Sequence, residues 1–342
     1  MHLVIISTTI HGEAGYLKYD RLAAASPFSR VRFIIAADLK SPPFDVGKFQ
    51  NDMHYLSIAE QGEYASSEPM GWNKIARRNI ALLRAMESRP DYILTIDDDN
   101  IPPADYFDRW HRVLTKPAER IALPVGPADH HWHNYLRTGD AGIEMYPRGF
   151  PIPFRGRLTT AVQTAGVPIA PEEIGVFQGI SLGDPDIDAQ TRIVYPKPMP
   201  LRGIGEANYV LRDVWSPYNT QNTVYAKKLF PLAFTWPHCG RHEDIYASFV
   251  WQRFLFNNGM YAHVGDAVNV QDRGTRNLLR DLEQEVEGYL YGHEVWEEIS
   301  RITEKEPLAF IERLCECRHP IIRRQQEFMR AFRKDFEAVL PS

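Results

Sequence analysis

Three consecutive carboxylates, Asp97, Asp98 and Asp99, end the apolar run Tyr92-Ile93-Leu94-Thr95-Ile96. Adjacent acids repel one another, so the end of a strand is a costly place for three of them unless a cation neutralises the charge. In an extended segment Asp97 and Asp99 point to one side and Asp98 to the other. One pair can therefore hold a divalent ion while the middle acid meets a sugar or ribose hydroxyl. Mn²⁺ and Mg²⁺ take a few carboxylates and complete an octahedron with phosphate oxygens and water. That chemistry suits a nucleoside diphosphate. The competing reading is an Asp-rich turn running into Asn100-Ile101-Pro102-Pro103, with the carboxylates bonded to backbone N–H groups.

The elements around the triplet set its position. Leu3-Val4-Ile5-Ile6 is a short buried-strand run ending in Ser7, Thr8 and Thr9, and Val31 to Ala37 is a second one ending at Asp38. Residues 73–87 carry apolar groups at helical spacing with interleaved arginines, including Lys74 and Arg78, and lead into the acidic strand. Strands alternating with helices through short links predict a parallel sheet. Ligands gather at the carboxyl ends of such strands, where Thr8, Thr9, Asp38 and Asp97 would lie together. No G-x-G-x-x-G follows the first strand, which disfavours a classical dinucleotide fold, and no Walker phosphate loop occurs.

Thr95-Ile96-Asp97-Asp98-Asp99 resembles the DXD segment of GT-A glycosyltransferases, and more specifically the reversibly glycosylated polypeptide family of UDP-arabinopyranose mutases and the STELLO-type proteins. Two further blocks are similar. Phe150-Pro151-Ile152-Pro153-Phe154-Arg155, with Val176 to Ala189 (Gln178-Gly179, then Asp184-Pro185-Asp186-Ile187-Asp188), resembles the mutase stretch that carries a glycosylated arginine. Arg241-His242-Glu243-Asp244-Ile245-Tyr246 resembles that family's acidic helix start. The likeness runs through residues 1–285 with gaps. It implies an α/β, GT-A-like, mainly parallel mixed sheet flanked by helices, using Mn²⁺ or Mg²⁺ and a UDP-sugar. By the resemblance Asp97, Asp99 and Asp272 are the metal ligands; Thr8, Thr9, Asp38, Lys74, Arg78, Asp97 and Asp98 face the nucleotide; Gln178, Gly179, Asp184, Asp186, Asp188, Trp236 and His238 face the substrate. Asp272 stands where the mutases carry a histidine, and residues 156–175 lengthen the segment after Arg155, which leaves Arg155 or Arg157 as the family-equivalent arginine.

The expected activity is glycosyl transfer to an acceptor, with Glu243 or Asp244 as the base that deprotonates the acceptor hydroxyl. Arg155 would stabilise the leaving group in a retaining enzyme. The alternatives are a pyranose–furanose mutase with Arg155 as glycosyl carrier, and a non-catalytic nucleotide-sugar-binding subunit. Each site residue also has a plain reading: Glu243 and Asp244 as a helix-start cap after Gly240, Arg155 as a surface ion-pair former, and Asp184, Asp186 and Asp188 as a solvated turn. His130-His131-Trp132-His133 fits no zinc spacing and is read as a loop beside the acceptor pocket, and Gly203-Ile204-Gly205 and 216–222 as loops over the site.

Composition agrees with this picture. The chain has 342 residues, 44% of them hydrophobic, enough for one large core and an appendage. A net charge of −5 with a pI near 6.2 leaves no nucleic-acid footprint. Three cysteines, Cys239, Cys315 and Cys317, without a C-x-x-C pair argue against a disulfide framework or a structural zinc site. The opening apolar run is too short for a signal peptide or a membrane span, so a cytoplasmic protein is expected. Residues 1–280 read as the catalytic domain. Residues 281–342, with helical periodicity and dense charge, read as a helical appendage packed on the sheet or serving homo-oligomerisation.

Overall fold

The computed structural model describes residues 1–127, 130–136, 144–195, 208–271 and 277–339. The sequence-predicted strands form where expected. β1 (His2–Thr8) pairs in parallel with β2 (Arg30–Ala36) and with β4 (Tyr92–Ile96), and β2 pairs in parallel with β3 (Asp52–Leu56). Beyond β4 the sheet becomes mixed. The remaining strands are β5 (Asn100–Ile101), β6 (Ala118–Pro124), β7 (Thr160–Ile169), β8 (Ile174–Gly183), β9 (Tyr209–Leu211), β10 (Asn222–Ala226) and β11 (Tyr261–Gln271). They complete one sheet in the order β3-β2-β1-β4-β10-β8-β11-β9-β6-β7, with β5 on β11. β10 runs antiparallel to both β4 and β8, whereas β8 and β11 are parallel.

The inner strands are buried on both faces, which is why they read as unbroken apolar runs rather than alternating ones. Val4, Ile6, Ile34 and Ala36 point into one core; Leu3, Ile5, Phe33 and Ile35 point into the other. Helices cover both. They are α1 (Ala14–Ala23), the short α2 (Ile58–Gln61) and α3 (Ser67–Met70), α4 (Arg78–Met86), α5 (Tyr106–Thr115), α6 (Ala189–Val194), α7 (Glu243–Asn257), α8 (Leu278–Ser300), α9 (Pro307–Glu316), the short α10 (Pro320–Arg323) and α11 (Gln326–Val339). Trp110 of α5 is buried in the second core, and Ile80, Leu82 and Leu83 of α4 in the first.

The helix expected over 73–87 starts later. Asn73 has φ 58 and Lys74 is extended, a 3-10 turn follows at Ile75–Arg77, and the α-helix begins at Arg78. The cause is Asp38, whose carboxylate accepts the backbone N–H of Asn73 at 2.7 Å and of Lys74 at 3.0 Å. Those donors are held outside the helix and pin it to the end of β2.

The C-terminal helices share the first core. Val295, Trp296 and Ile299 of α8, Phe310 and Ile311 of α9, and Phe328 and Phe332 of α11 are buried in the same cluster as Val4 and Ile6. Trp296 lies 5.3 Å from Trp132 and 5.7 Å from Trp215 between ring centroids, and Asp335 of α11 accepts the N–H groups of Ala65 and Ser66. Among the described residues no helix is long and apolar enough to cross a membrane.

One close approach ties this scaffold to the acidic strand end. A Cβ on Gly15, in the first turn of α1, would stand 2.1 Å from the backbone carbonyl oxygen of Asp98. A carbonyl oxygen cannot swing aside as a flexible side chain does. Gly15→Ala is therefore expected to destabilise the fold by about 1–3 kcal/mol, measured by urea unfolding; an unchanged midpoint would show that α1 does not bear on the acidic turn.

Candidate functional site

Parallel strands β1, β2 and β4 present their carboxyl ends side by side, and hydrogen bonds cross between them. Ser7 Oγ donates to the Ile96 carbonyl at 2.7 Å and Thr8 Oγ1 to the Ala36 carbonyl at 2.9 Å. The Thr9 hydroxyl is shared between Asp98 Oδ2 and the His11 carbonyl. Ser41, bonded to the Thr9 carbonyl, also accepts the Asp38 N–H. Thr8, Thr9, Asp38 and the three acids thus sit at one sheet edge, as the sequence predicts. Thr8 and Asp38 are nevertheless engaged by protein groups: Asp38 takes three backbone N–H donors, those of Leu39, Asn73 and Lys74.

Arg78 stands over the edge. Its guanidinium, 4% exposed, donates from Nη2 to Asp97 Oδ1 at 2.7 Å and from Nη1 to the Thr220 carbonyl at 2.8 Å. Burial pushes the Asp97 carboxyl up to about 6; Arg78 opposes this, and the neighbouring carboxylates of Asp99 and Asp98 add to it. Asp99 is exposed and accepts from Gln271 Nε2 at 2.8 Å. Among the described residues Asp97 Oδ2 and Asp99 Oδ1 accept no hydrogen bond, and the buried Gln271 Oε1 has no partner.

Carboxylate and amide oxygens are the hard donors that Mg²⁺ and Mn²⁺ take, and these three atoms are the ones left without hydrogen bonds here. A cage made of protein side chains alone is absent: among the described residues no three or more His, Cys, Asp or Glu side chains converge as metal ligands. Asp272, the third expected ligand, and the 203–205 loop lie outside the described residues.

The carboxylates at the start of α7 join this edge through the Thr220 peptide. While the Thr220 carbonyl accepts from Arg78, its N–H donates to Asp244 Oδ2 at 3.3 Å. Both Asp244 oxygens face Arg148, with Nη1 3.1 Å from Oδ1 and Nη2 3.2 Å from Oδ2, and Oδ1 also accepts the Ile245 N–H. The same Arg148 grips Asp186 from Nε and Nη2, the closer contact being 2.8 Å. Asn219 extends the chain by donating to Asp186 Oδ2 while its Oδ1 accepts from Gln178 Nε2. Asp97, Arg78, Asp244, Arg148, Asp186 and Gln178, all but Arg148 expected at the site, belong to one network, buried except at Asp97, whose side chain is 26% exposed.

Glu243 differs from Asp244. Burial drives its carboxyl well above the usual range, offset by Lys74 and Arg78 and reinforced by Asp244, and its Oε2 has no hydrogen-bond partner. Lys74 itself donates to the Pro237 carbonyl at 2.7 Å and to His238 Nδ1 at 2.8 Å. His238 Nε2 meets the Pro69 carbonyl, so that nitrogen carries the proton and Nδ1 is the acceptor.

Other expected residues sit differently. Trp236 is fully buried core and Gly179 lies inside β8. Arg155 is paired with Asp188 at 2.8 Å and donates to the Phe150 carbonyl; Asp188 also caps α6 by accepting the Thr191 N–H, and Asp184 is paired with Arg192. Arg157 is exposed. The 130–133 loop is tied inward: His133 bonds Thr160 and the Tyr209 hydroxyl, and Trp132 packs on Phe154. Sequence reasoning missed Arg148 and Gln271, and placed Asn219 over the site only as part of the 216–222 loop. The one signal for Arg148 was a lone cation inside the apolar, turn-rich run Tyr146 to Pro151.

No family model matches the chain. It is 24% identical over 168 residues to a probable UDP-arabinopyranose mutase 4 of Arabidopsis thaliana, covering 47% of this chain and 42% of that protein. The chain thus spans less than half the length of the curated relative it matches. Among solved structures, S. aureus TarS residues 1–349 in complex with UDP-GlcNAc aligns over 98% of this chain and 90% of that one, at 10% identity and a TM-score of 0.35. A second TarS structure aligns over 99% of this chain and 55% of that one, at 11% identity and a TM-score of 0.29.

Two outcomes follow from the charges. Arg148→Met strands two buried carboxylates and is expected to cost about 3–5 kcal/mol in urea unfolding, with Asp186→Asn/Asp244→Asn in the same background recovering part of it; a stable Arg148→Met protein would contradict the network. Asp97 has a folded-state pKa near 6 against an ordinary 3.8, so the folded state holds this proton more tightly. Its contribution to metal-free stability therefore declines as pH rises from about 4 to about 6 and stays lost above that. The melting temperature of Asp97→Asn relative to wild type, both in EDTA, should rise across that window and level off above it; a pH-independent difference would refute the shift.

Proposed function

We propose that the chain binds a nucleoside-diphosphate sugar, with a UDP-sugar favoured, and transfers the glycosyl group to an acceptor with Mn²⁺ or Mg²⁺. The observation carrying this reading is the acid triplet at the carboxyl edge of parallel strands, wired through Arg78 and the Thr220 peptide to the carboxylates that open α7. Similarity to a probable UDP-arabinopyranose mutase supports the nucleotide-sugar class.

Asp97 and Asp99 would hold the divalent cation, which supplies Lewis-acid neutralisation of the departing diphosphate. Arg78 keeps Asp97 oriented and adds positive charge beside the leaving group. The extended alternation expected of the three acids does not form: β4 ends at Ile96 and Asp98 and Asp99 lie in a turn, where Asp98, held by the Thr9 hydroxyl, would accept from a sugar or ribose hydroxyl. Of the two α7 carboxylates, Glu243 is the better base in this scheme. Asp244 has both oxygens occupied by Arg148 and by backbone N–H donors, whereas Glu243 keeps an oxygen with no hydrogen-bond partner, free to accept from a substrate hydroxyl. Arg148 holds Asp244 and Asp186 in register.

The second reading, a pyranose–furanose mutase with Arg155 as carrier, is favoured by the same sequence similarity. Against it, the Arg155 guanidinium is engaged by Asp188 and the Phe150 carbonyl.

Incubation with radiolabelled UDP- and GDP-sugars, with and without Mn²⁺, separates the readings. Mn²⁺-dependent release of nucleotide is expected, cut at least 100-fold in Asp97→Asn, Asp99→Asn and Glu243→Gln, in keeping with the loss of a metal ligand or general base, and with no sugar mass on Arg155. Full turnover in EDTA, or no melting shift with UDP, GDP, ADP or CDP, would overturn the transferase reading; an isomerised sugar with a mass adduct mapped to Arg155 would install the mutase.

A further inference from the structure

Of the seven tryptophans, Trp110, Trp132, Trp215, Trp236, Trp251 and Trp296 are buried in the cores. Trp72 is the one that reaches the surface among the described residues. It stands in the loop that Asp38 pins to the end of β2, between Gly71 at φ 72 and Asn73 at φ 58. Positive φ on both sides, at a glycine and at an asparagine that tolerates it, turns the chain sharply at Trp72.

The underside of the indole is held by an unusual group. The Arg77 guanidinium carbon lies 3.7 Å from the ring centroid, within cation–π range. Arg77 is fully buried and, among the described residues, has no carboxylate partner; its donors go to Gln61 Oε1, to the Ser67 carbonyl and hydroxyl, and to the Gly71 carbonyl. A buried cation without a counter-ion is costly, so a guanidinium fixed there by neutral acceptors holds the ring firmly. The Trp72 indole N–H finds no acceptor among the described residues and is not buried.

Position decides which ring can use this surface. β2 is separated from β4 by β1 alone, which at ordinary strand spacing puts the two strand ends roughly 10 Å apart. With the diphosphate at the acid triplet on β4, a nucleoside extending along the sheet edge brings its base to the end of β2.

We infer that Trp72, braced from behind by Arg77, is the stacking platform for the heterocyclic base of the nucleotide, with uracil the favoured occupant. The inference rests on the nucleotide-sugar reading above. Stacking on an indole explains why this ring, alone among the tryptophans, is left partly exposed with Arg77 against one face. A purely structural Trp72 would need only to cover Arg77.

Calorimetric titrations of wild type, Trp72→Phe and Trp72→Ala with UDP, uridine and inorganic pyrophosphate, all with Mn²⁺, test this. Trp72→Ala should weaken UDP and uridine about 10- to 100-fold, the range of base–aromatic stacking, with most of the affinity retained in Trp72→Phe and pyrophosphate unaffected. In wild type, saturating UDP should shield the one acrylamide-accessible tryptophan. If wild type binds UDP and Trp72→Ala binds it equally well, the platform falls while the nucleotide reading stands. If wild type binds no UDP, GDP, ADP or CDP compound, both fall. Equal loss of pyrophosphate and UDP would assign Trp72 to loop shape rather than to the base. Should Trp72→Ala not fold, unaltered acrylamide access in UDP-saturated wild type overturns the inference by itself.

Discussion

Two buried arginines keep the site from flying apart. Asp97, Asp186 and Asp244 are carboxylates gathered from three distant parts of the chain, and without cations between them their mutual repulsion and desolvation would oppose folding. Arg78 faces Asp97, and Arg148 faces Asp186 and Asp244. The Thr220 peptide joins the two halves, with its carbonyl on Arg78 and its N–H on Asp244. Removing either arginine leaves charge buried without compensation, so geometry and stability at this site are one problem.

The compensation is unequal, and that inequality gives the acids different characters. Asp244 is saturated by donors, burial raises the Asp97 carboxyl to about 6, and burial raises that of Glu243, which keeps an unpartnered oxygen. Carboxyl groups that meet at one site are thereby given different surroundings: Asp244 is a counter-ion of Arg148, Asp97 is paired with Arg78, and Glu243 is buried with one oxygen unpartnered. Environment, not residue type, makes the distinction.

The outer shell is built to resist movement. Glu285 of α8 accepts from Arg241 and from the Ala189 N–H, which ties the start of α7 and the start of α6 to the C-terminal helix. Gly288 lets α8 pass close to the His242 ring, where a Cβ would come within 2.2 Å of its atoms. Trp296 wedges between Trp132 and Trp215. The C-terminal helices thus brace the network from within the core that β1 and β2 also share.

The sequence by itself determined what local pattern can encode. Apolar runs specified β1, β2 and β4, and their ends specified where Thr8, Asp38 and Asp97 would lie. The start of α4 was misjudged because Asp38, 35 and 36 residues upstream, claims two backbone donors that a local reading assigns to the helix. Partnerships could not be read at all. Arg148 meets Asp244 across 96 residues and Asp186 across 38, Arg78 meets Thr220 across 142, and Lys74 meets Pro237 across 163. Residue type tells that an arginine can pair with a carboxylate; only the tertiary fold decides which one, because the pairing energy depends on separation and burial that the chain acquires when the sheet closes.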